Sequence, residues 1–126
     1  MGVVYHSNYF IWFEMGRAEL FRDQGFPYRN FEKAGFAVPV KEVNCTYLKP
    51  ALYDDLLTVE TFVAKLTPVR MEFTYNIKRG AELLAQGRTF HAIVDKSGRP
   101  CNLKKKAPGL WEKLKAIETS TTKEEK

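Results

Sequence analysis

Gly2-Val3-Val4-Tyr5-His6-Ser7-Asn8-Tyr9-Phe10-Ile11-Trp12-Phe13-Glu14-Met15-Gly16-Arg17 packs an apolar approach, a histidine, a helix start and an acid among apolar neighbours into one span. Ser7 suits an N-cap, because its hydroxyl accepts from one of the amides that a new helix leaves unpaired. The helix is expected from about Asn8 to Gln24, with Gly25 as a left-handed stop. Tyr9, Phe10, Ile11, Trp12, Phe13 and Met15 cannot share one stripe, so the first half is expected to be buried on several sides. From Arg17 onward Glu19, Arg22 and Asp23 mix with Leu20 and Phe21, and that end is expected to emerge into solvent. His6 stands at the mouth, where free amides and roughly half a positive charge are placed to polarise a carbonyl or hold an anion.

With 126 residues, 44% hydrophobic and 13% aromatic, the chain has the apolar mass for one domain with a real core. No apolar run approaches the ~18 residues needed to span a bilayer, and the start carries no secretory pattern. Cys45 and Cys101 lack metal-ligand spacing, which points to a reducing cytoplasm and to no metal. A net charge of +5 favours anionic partners. Nucleic acid is not expected among them, because no recognition motif is present and much of the excess lies in Lys104-Lys105-Lys106 and the tail. A coenzyme bearing phosphates would use the same charge with fewer residues.

Further along, Phe26 to Gly35 reads as a short helix docked by Phe31 and Ala34. Phe36 to Leu48 reads as a long strand whose apolar parity changes between Val38/Val40 and Val43/Cys45/Tyr47, so a bulge is expected near Lys41-Glu42. Pro39 confines it to an edge, and an edge of that length must be covered or paired, which suggests a dimer built across it. Leu57 to Leu66 follows as a strand. Val69, Met71, Phe73, Tyr75 and Ile77 then alternate with polar residues up to Lys78, the clearest strand in the chain. A tight turn at Arg79-Gly80-Ala81 leads into Glu82 to Asp95, where Gly87 marks a bend or a close approach of the buried helix. Pro108 to Ile117 is an amphipathic helix on Leu110, Trp111, Leu114 and Ile117, and residues 119–126 form a polar, frayed tail behind a single domain over residues 1–118. The order implies an α+β fold in which the sheet wraps one helix.

Val3-Val4-Tyr5-His6-Ser7-Asn8-Tyr9, Phe13-Glu14-Met15-Gly16-Arg17, Tyr47-Leu48-Lys49-Pro50-Ala51, Gly87-Arg88 and Asp95-Lys96-Ser97-Gly98-Arg99-Pro100 together resemble the 4-hydroxybenzoyl-CoA thioesterase family of hot-dog-fold acyl-CoA thioesterases. The resemblance covers nearly the whole chain in order. It implies a long central helix wrapped by an antiparallel sheet, dimers joined by edge strands and often tetramers, and active sites between subunits. The reaction it implies is hydrolysis of a small or medium acyl-CoA to free acid and coenzyme A without metal or cofactor. It also implies a catalytic aspartate seven residues before the histidine matched by His6, a position two residues ahead of Met1, with a short strand before it. A truncated sequence or a misplaced start would account for both absences. A naturally impaired member, acting as a non-catalytic acyl-CoA binding module, is the alternative.

Among the candidates, His6 either assists catalysis or merely bonds the turn. An ordinary imidazole, with a pKa of about 6.5, is mostly neutral at neutral pH and would donate a hydrogen bond to the carbonyl or leaving group. Glu14 is the one acid in the apolar half of the helix; it is either a catalytic base or the partner of Arg17 one turn on. Tyr5, Asn8, Tyr9 and Phe13 are candidates to line the acyl pocket, although any buried helix needs such residues. Lys49, Arg70 and Arg88 are candidates for the coenzyme phosphates, with solvated strand charges as the alternative. His91 reads as a strand residue facing cleft or solvent, and Cys45 as an inward strand residue without a base.

Overall fold

The computed structural model describes the backbone of residues 6–118 and 121–125 and the side chains of residues 8–118. Its core element is helix α1 (His6–Asp23), which ends in a left-handed Gly25 (φ 73°). The Phe26 amide bonds back to the Phe21 carbonyl and the Gly25 amide to the Arg22 carbonyl. This pair of bonds satisfies carbonyls that the last turn would otherwise leave open. Because α1 opens at His6, Ser7 falls inside the first turn and is not its cap, a correction to the expected start.

Helix α2 (Tyr28–Lys33) follows, docked by buried Phe31, whereas Ala34 stays exposed outside it. The expected single strand from Phe36 is broken at Val38-Pro39. A short β1 (Phe36–Ala37) pairs with β6 (Val94–Asp95), and β2 (Val40–Tyr47) joins the main sheet. Pro39 has no amide to donate, so the ladder changes partners there. The bulge does occur, between Val40 and Glu42 in the pairing with β5 (Glu82–Ala92).

Among the described residues the main sheet holds five antiparallel strands in the order β2-β5-β4-β3-β7, with β3 spanning Thr58–Thr67, β4 Arg70–Arg79 and β7 Thr121–Glu125. In β4, Met71, Phe73, Tyr75 and Ile77 are buried as their alternation requires, but Val69 precedes the strand and is exposed. Residues 121–125, expected in a frayed tail, pair with β3 instead, Thr121 opposite Phe62 and Glu125 opposite Thr58. An open β3 edge offers unpaired backbone groups, and two threonines suit a strand. Helices α3 (Leu103–Lys106) and α4 (Pro108–Ile117) close the end, with α4 burying Trp111, Leu114 and Ile117.

Helix α1 lies against one face of the sheet at two glycines. A methyl group on Gly87 would overlap the Phe13 ring, and one on Gly16 would run into Thr61. Phe13 also stacks on Tyr75, the cross-strand neighbour of Gly87, at 4.4 Å between ring centroids. Gly87→Ala is therefore expected to cost about 1–3 kcal/mol by overpacking. Urea denaturation measures this, and Phe13→Leu in the same background should recover part of the loss; a cost near zero for Gly87→Ala would mean that the helix can lift off.

The sheet covers only one side of α1. Tyr9, Phe13, Leu20 and Phe21 are buried, but Phe10, Ile11 and Met15 are exposed at 45%, 52% and 39% in the single chain, so its first half is not enclosed all round. Strand β2 likewise leaves Val40, Val43 and Tyr47 uncovered.

Candidate active site

At the start of α1, His6 is the first helical residue; its side chain and all of Tyr5 lie outside the described residues. Asn8 is half-buried in the first turns. Tyr9 turns toward the sheet and meets Tyr47 edge-on at 4.9 Å. Burial holds its phenol above the ordinary range, opposed by the Ala51 backbone amide. Phe13 is also consumed by packing, so these two aromatic side chains are core residues in the single chain rather than walls of an open cavity.

The open cavity beside α1, about 360 Å³, is bounded by Glu14, Arg17, Ala18, Phe21, Tyr28, Val38, Pro39 and Val40. Glu14, Arg17, Ala18 and Phe21 follow helical spacing and form one wall. Tyr28 of α2 and the Val38-Pro39 break form the other. Glu14 is exposed on this wall, not buried as its apolar neighbours suggested. Nor does it pair with Arg17: the Arg17 Nη1 donates to the Tyr75 hydroxyl at 2.9 Å.

That contact opens a buried chain of hydrogen bonds. Tyr75 Oη and Thr89 Oγ1 are 2.7 Å apart, Thr89 Oγ1 and His91 Nε2 2.8 Å, and His91 Nδ1 and the Val38 carbonyl 2.8 Å. Only one set of donors closes it. A carbonyl can only accept, so Nδ1 carries the proton and Nε2 accepts from Thr89. Thr89 then accepts from Tyr75, and Tyr75 from Arg17. His91 is thus a neutral, interior residue, 3% exposed, rather than one facing cleft or solvent. Burial is the main cause that pushes its pKa down to about 4; the Val38 carbonyl opposes this, and the Arg17 charge adds to it. The Val38 amide donates to Tyr28 Oη at 2.9 Å, so the chain begins and ends on the cavity wall.

The coenzyme-phosphate candidates are not gathered here. Lys49 Nζ is 2.6 Å from Glu82 Oε2, and Arg79 binds both Glu82 and Asp55. Arg88 follows Gly87, which faces Phe13, so Arg88 stands on the opposite face of the sheet, its guanidinium 5.9 Å from the centre of the Phe90 ring. Arg70, next to buried Met71, is exposed and borders a second depression with Lys41, Glu42 and Glu72. Both cysteines are free thiols, each raised by burial above the ordinary range. Among the described residues no group of three or more His, Cys, Asp or Glu side chains could hold a metal ion.

Arg17 as an anchored cation, Tyr28, Tyr75 and Thr89 were not singled out from sequence. One signal was available. Thr89 and His91 share the inward parity of Gly87 on β5, and polar residues at inward positions require partners.

Residues 1–86 match the thioesterase superfamily profile, a span that contains the His6 stretch, α1, strands β2, β3 and β4 of the main sheet and the start of β5. A protein of Bacillus subtilis named putative acyl-CoA thioesterase YneP is 37% identical over 110 residues, covering 86% of this chain and 80% of its own length. The acyl-CoA thioesterase YbgC of Haemophilus influenzae is 34% identical over 95 residues, covering 75% of this chain and 70% of its own. Among solved structures, a DHNA-CoA thioesterase from Staphylococcus aureus superposes with a TM-score of 0.85 at 32% identity, over 94% of this chain and 80% of that one. A helix seated by glycines on an antiparallel sheet is thus accompanied by a match over more than half the sequence and by relatives above 30% identity along most of it: the chain belongs to the thioesterase superfamily.

Proposed function

We propose that this protein is an acyl-CoA thioesterase that hydrolyses the thioester of a small or medium acyl-CoA to the free acid and coenzyme A. The observation that carries this reading is the superfamily match across the His6 stretch, joined to relatives named acyl-CoA thioesterases that align along most of the chain. The carbonyl oxygen sits at the N-terminus of α1, where unpaired amides stabilise the charge that develops as water attacks. His6 donates a hydrogen bond to that oxygen or to the leaving sulfur, and a carboxylate takes the proton from water. No metal or cofactor takes part, so chelator treatment should leave the rate unchanged. Release of free thiol from a panel of acyl-CoA esters tests the reading; stable binding of all of them without turnover would replace it with that of a binding module.

For the coenzyme phosphates we favour Arg70 and Arg88 over Lys49, whose ammonium is already engaged by Glu82. The cytoplasm is the compartment that suits two free thiols, and among the described residues no helix is long and apolar enough to cross a membrane.

The working unit we propose is a dimer paired through β2, with tetramers built from it. Strand β2 is the edge of the sheet, and Val40, Val43 and Tyr47 on it are uncovered. Sedimentation at micromolar concentration should therefore show no monomer. A Val43→Lys variant, which sets like charges against each other across a two-fold edge, should shift the protein toward monomer; a wild-type monomer would count decisively against the dimer.

A further inference from the structure

The cavity between α1, α2 and the Val38-Pro39 break has donors left over. Arg17 spends one N–H on Tyr75, and among the described residues its other N–H groups have no partner. Tyr28 Oη accepts from the Val38 amide, and among the described residues its own proton has no acceptor. Burial keeps this phenol above the ordinary range, so it remains a donor at any physiological pH. The Glu14 carboxylate lies on the same wall, and no bond or ion pair to another described residue occupies it. The rest of the lining is apolar.

We infer that this cavity receives the far end of the acyl group, and that Arg17 and Tyr28 select acyl groups that carry an oxygen acceptor there. The inference rests on the thioesterase reading above. Position along α1 supports it. At ~1.5 Å per residue Arg17 lies roughly 16 Å along the axis from His6. Long helical side chains lean back toward the N-terminus. A guanidinium reaching back over about one turn therefore stands a medium acyl length from the helix mouth. A ligand hydroxyl would accept from Arg17 or Tyr28 and donate to Glu14. A ligand carboxylate would gain the first contact but oppose the second charge.

The buried chain supplies the rigidity that such selection needs. Tyr75, 1% exposed, fixes one edge of the guanidinium; Thr89 and His91 fix Tyr75; and the Val38 peptide, bonded on both sides, fixes Tyr28. Arg17 is the specificity residue in this scheme and Tyr75 is a positioning residue, since it acts only through Arg17. An anchored donor discriminates between ligands because it cannot swing away when its acceptor is missing.

The test compares wild type with Arg17→Gln, Tyr28→Phe and Tyr75→Phe, each first checked for a native circular dichroism spectrum and melting transition. The kcat/KM is measured for octanoyl-CoA, its terminal-hydroxyl analogue and its terminal-carboxylate analogue. Wild type should favour the hydroxyl analogue by about 10- to 100-fold over octanoyl-CoA, the range of a hydrogen bond to a charged group. Arg17→Gln and Tyr75→Phe should bring that ratio close to one, and Tyr28→Phe should lower it in part. A ratio near one in wild type, or one that none of the variants moves, overturns the inference. A carboxylate analogue that surpasses the hydroxyl one would keep the site but remove Glu14 from it. If no ester is hydrolysed, the thioesterase reading fails by itself. Dissociation constants for the same three esters then decide the cavity: a hydroxyl preference lost in Arg17→Gln upholds it, and equal affinities reject it.

Discussion

Replacing His6 by alanine should lower kcat for acyl-CoA hydrolysis about 100- to 1000-fold while changing substrate affinity far less. The split follows from where the interaction is made. A donor aimed at the oxygen of a thioester gains most of its strength when that oxygen takes on negative charge, so its loss is felt in the transition state and hardly in the bound ester. The proton acceptor is tested beside it. In a chain extended so that an aspartate stands seven residues ahead of His6, the rate should exceed that of the same chain with asparagine there by about 100- to 10,000-fold, the contribution of a positioned acid or base. Glu14→Gln measures the competing assignment. If that change, rather than the asparagine, removes activity, Glu14 is the base. An unchanged kcat in His6→Ala would remove the histidine from the chemistry altogether.

How much of this could be read from the residues alone depended on how local each signal was. Strand β4 alternates so regularly that Met71, Phe73, Tyr75 and Ile77 were identifiable as inward, and Pro108–Ile117 was bounded by its own proline and apolar stripe. Gly87 was suspect because a glycine inside a strand weakens it unless something needs the space, and the Phe13 ring does. Residues 121–125 gave no such sign. Their strand exists through the open edge of β3, which lies some sixty positions earlier in the chain, and no window of sequence contains both.

Apolar density on α1 was legible, but its direction was not. Six large apolar residues within seven positions imply burial on several sides, yet the sheet has only one face to offer, and Phe10, Ile11, Glu14 and Met15 are left exposed in the single chain. The same limit hid the hydrogen-bond chain. Arg17 and Tyr75 are 58 residues apart and His91 and Val38 are 53 apart, so helix spacing offered Glu14 as the partner of Arg17. A neighbour one turn away competes poorly with a buried phenol oxygen when the guanidinium already lies against the sheet. The arginine gains a fixed acceptor, and Glu14 remains open to solvent and substrate.

Acid should destabilise the fold through His91 by about 3 kcal/mol, the cost of holding a histidine neutral down to about 4 when the unfolded chain takes up a proton at about 6.5. Above pH 6.5 neither state binds the proton, so this part of the stability is fully present. Between pH 6.5 and 4 the unfolded chain is protonated and the folded one is not, so stability falls as the pH falls. Below 4 both are protonated and the loss levels off. The directional chain explains why the folded state resists. A proton on Nε2 would force Thr89 to accept there, leaving the threonine hydrogen without its acceptor; reversing the bonds beyond it fails at Arg17, which has no lone pair to offer. Urea midpoints for wild type and His91→Asn between pH 7 and 4 measure the effect. Asparagine keeps a donor for the Val38 carbonyl but does not titrate. The carboxylates contribute equally to both proteins, so the difference between the two curves isolates His91. Wild type should start the more stable and lose about 3 kcal/mol of that lead by pH 4; two parallel curves would mean that the folded protein takes up the His91 proton at the same pH as the unfolded chain, so that burial does not hold the imidazole neutral.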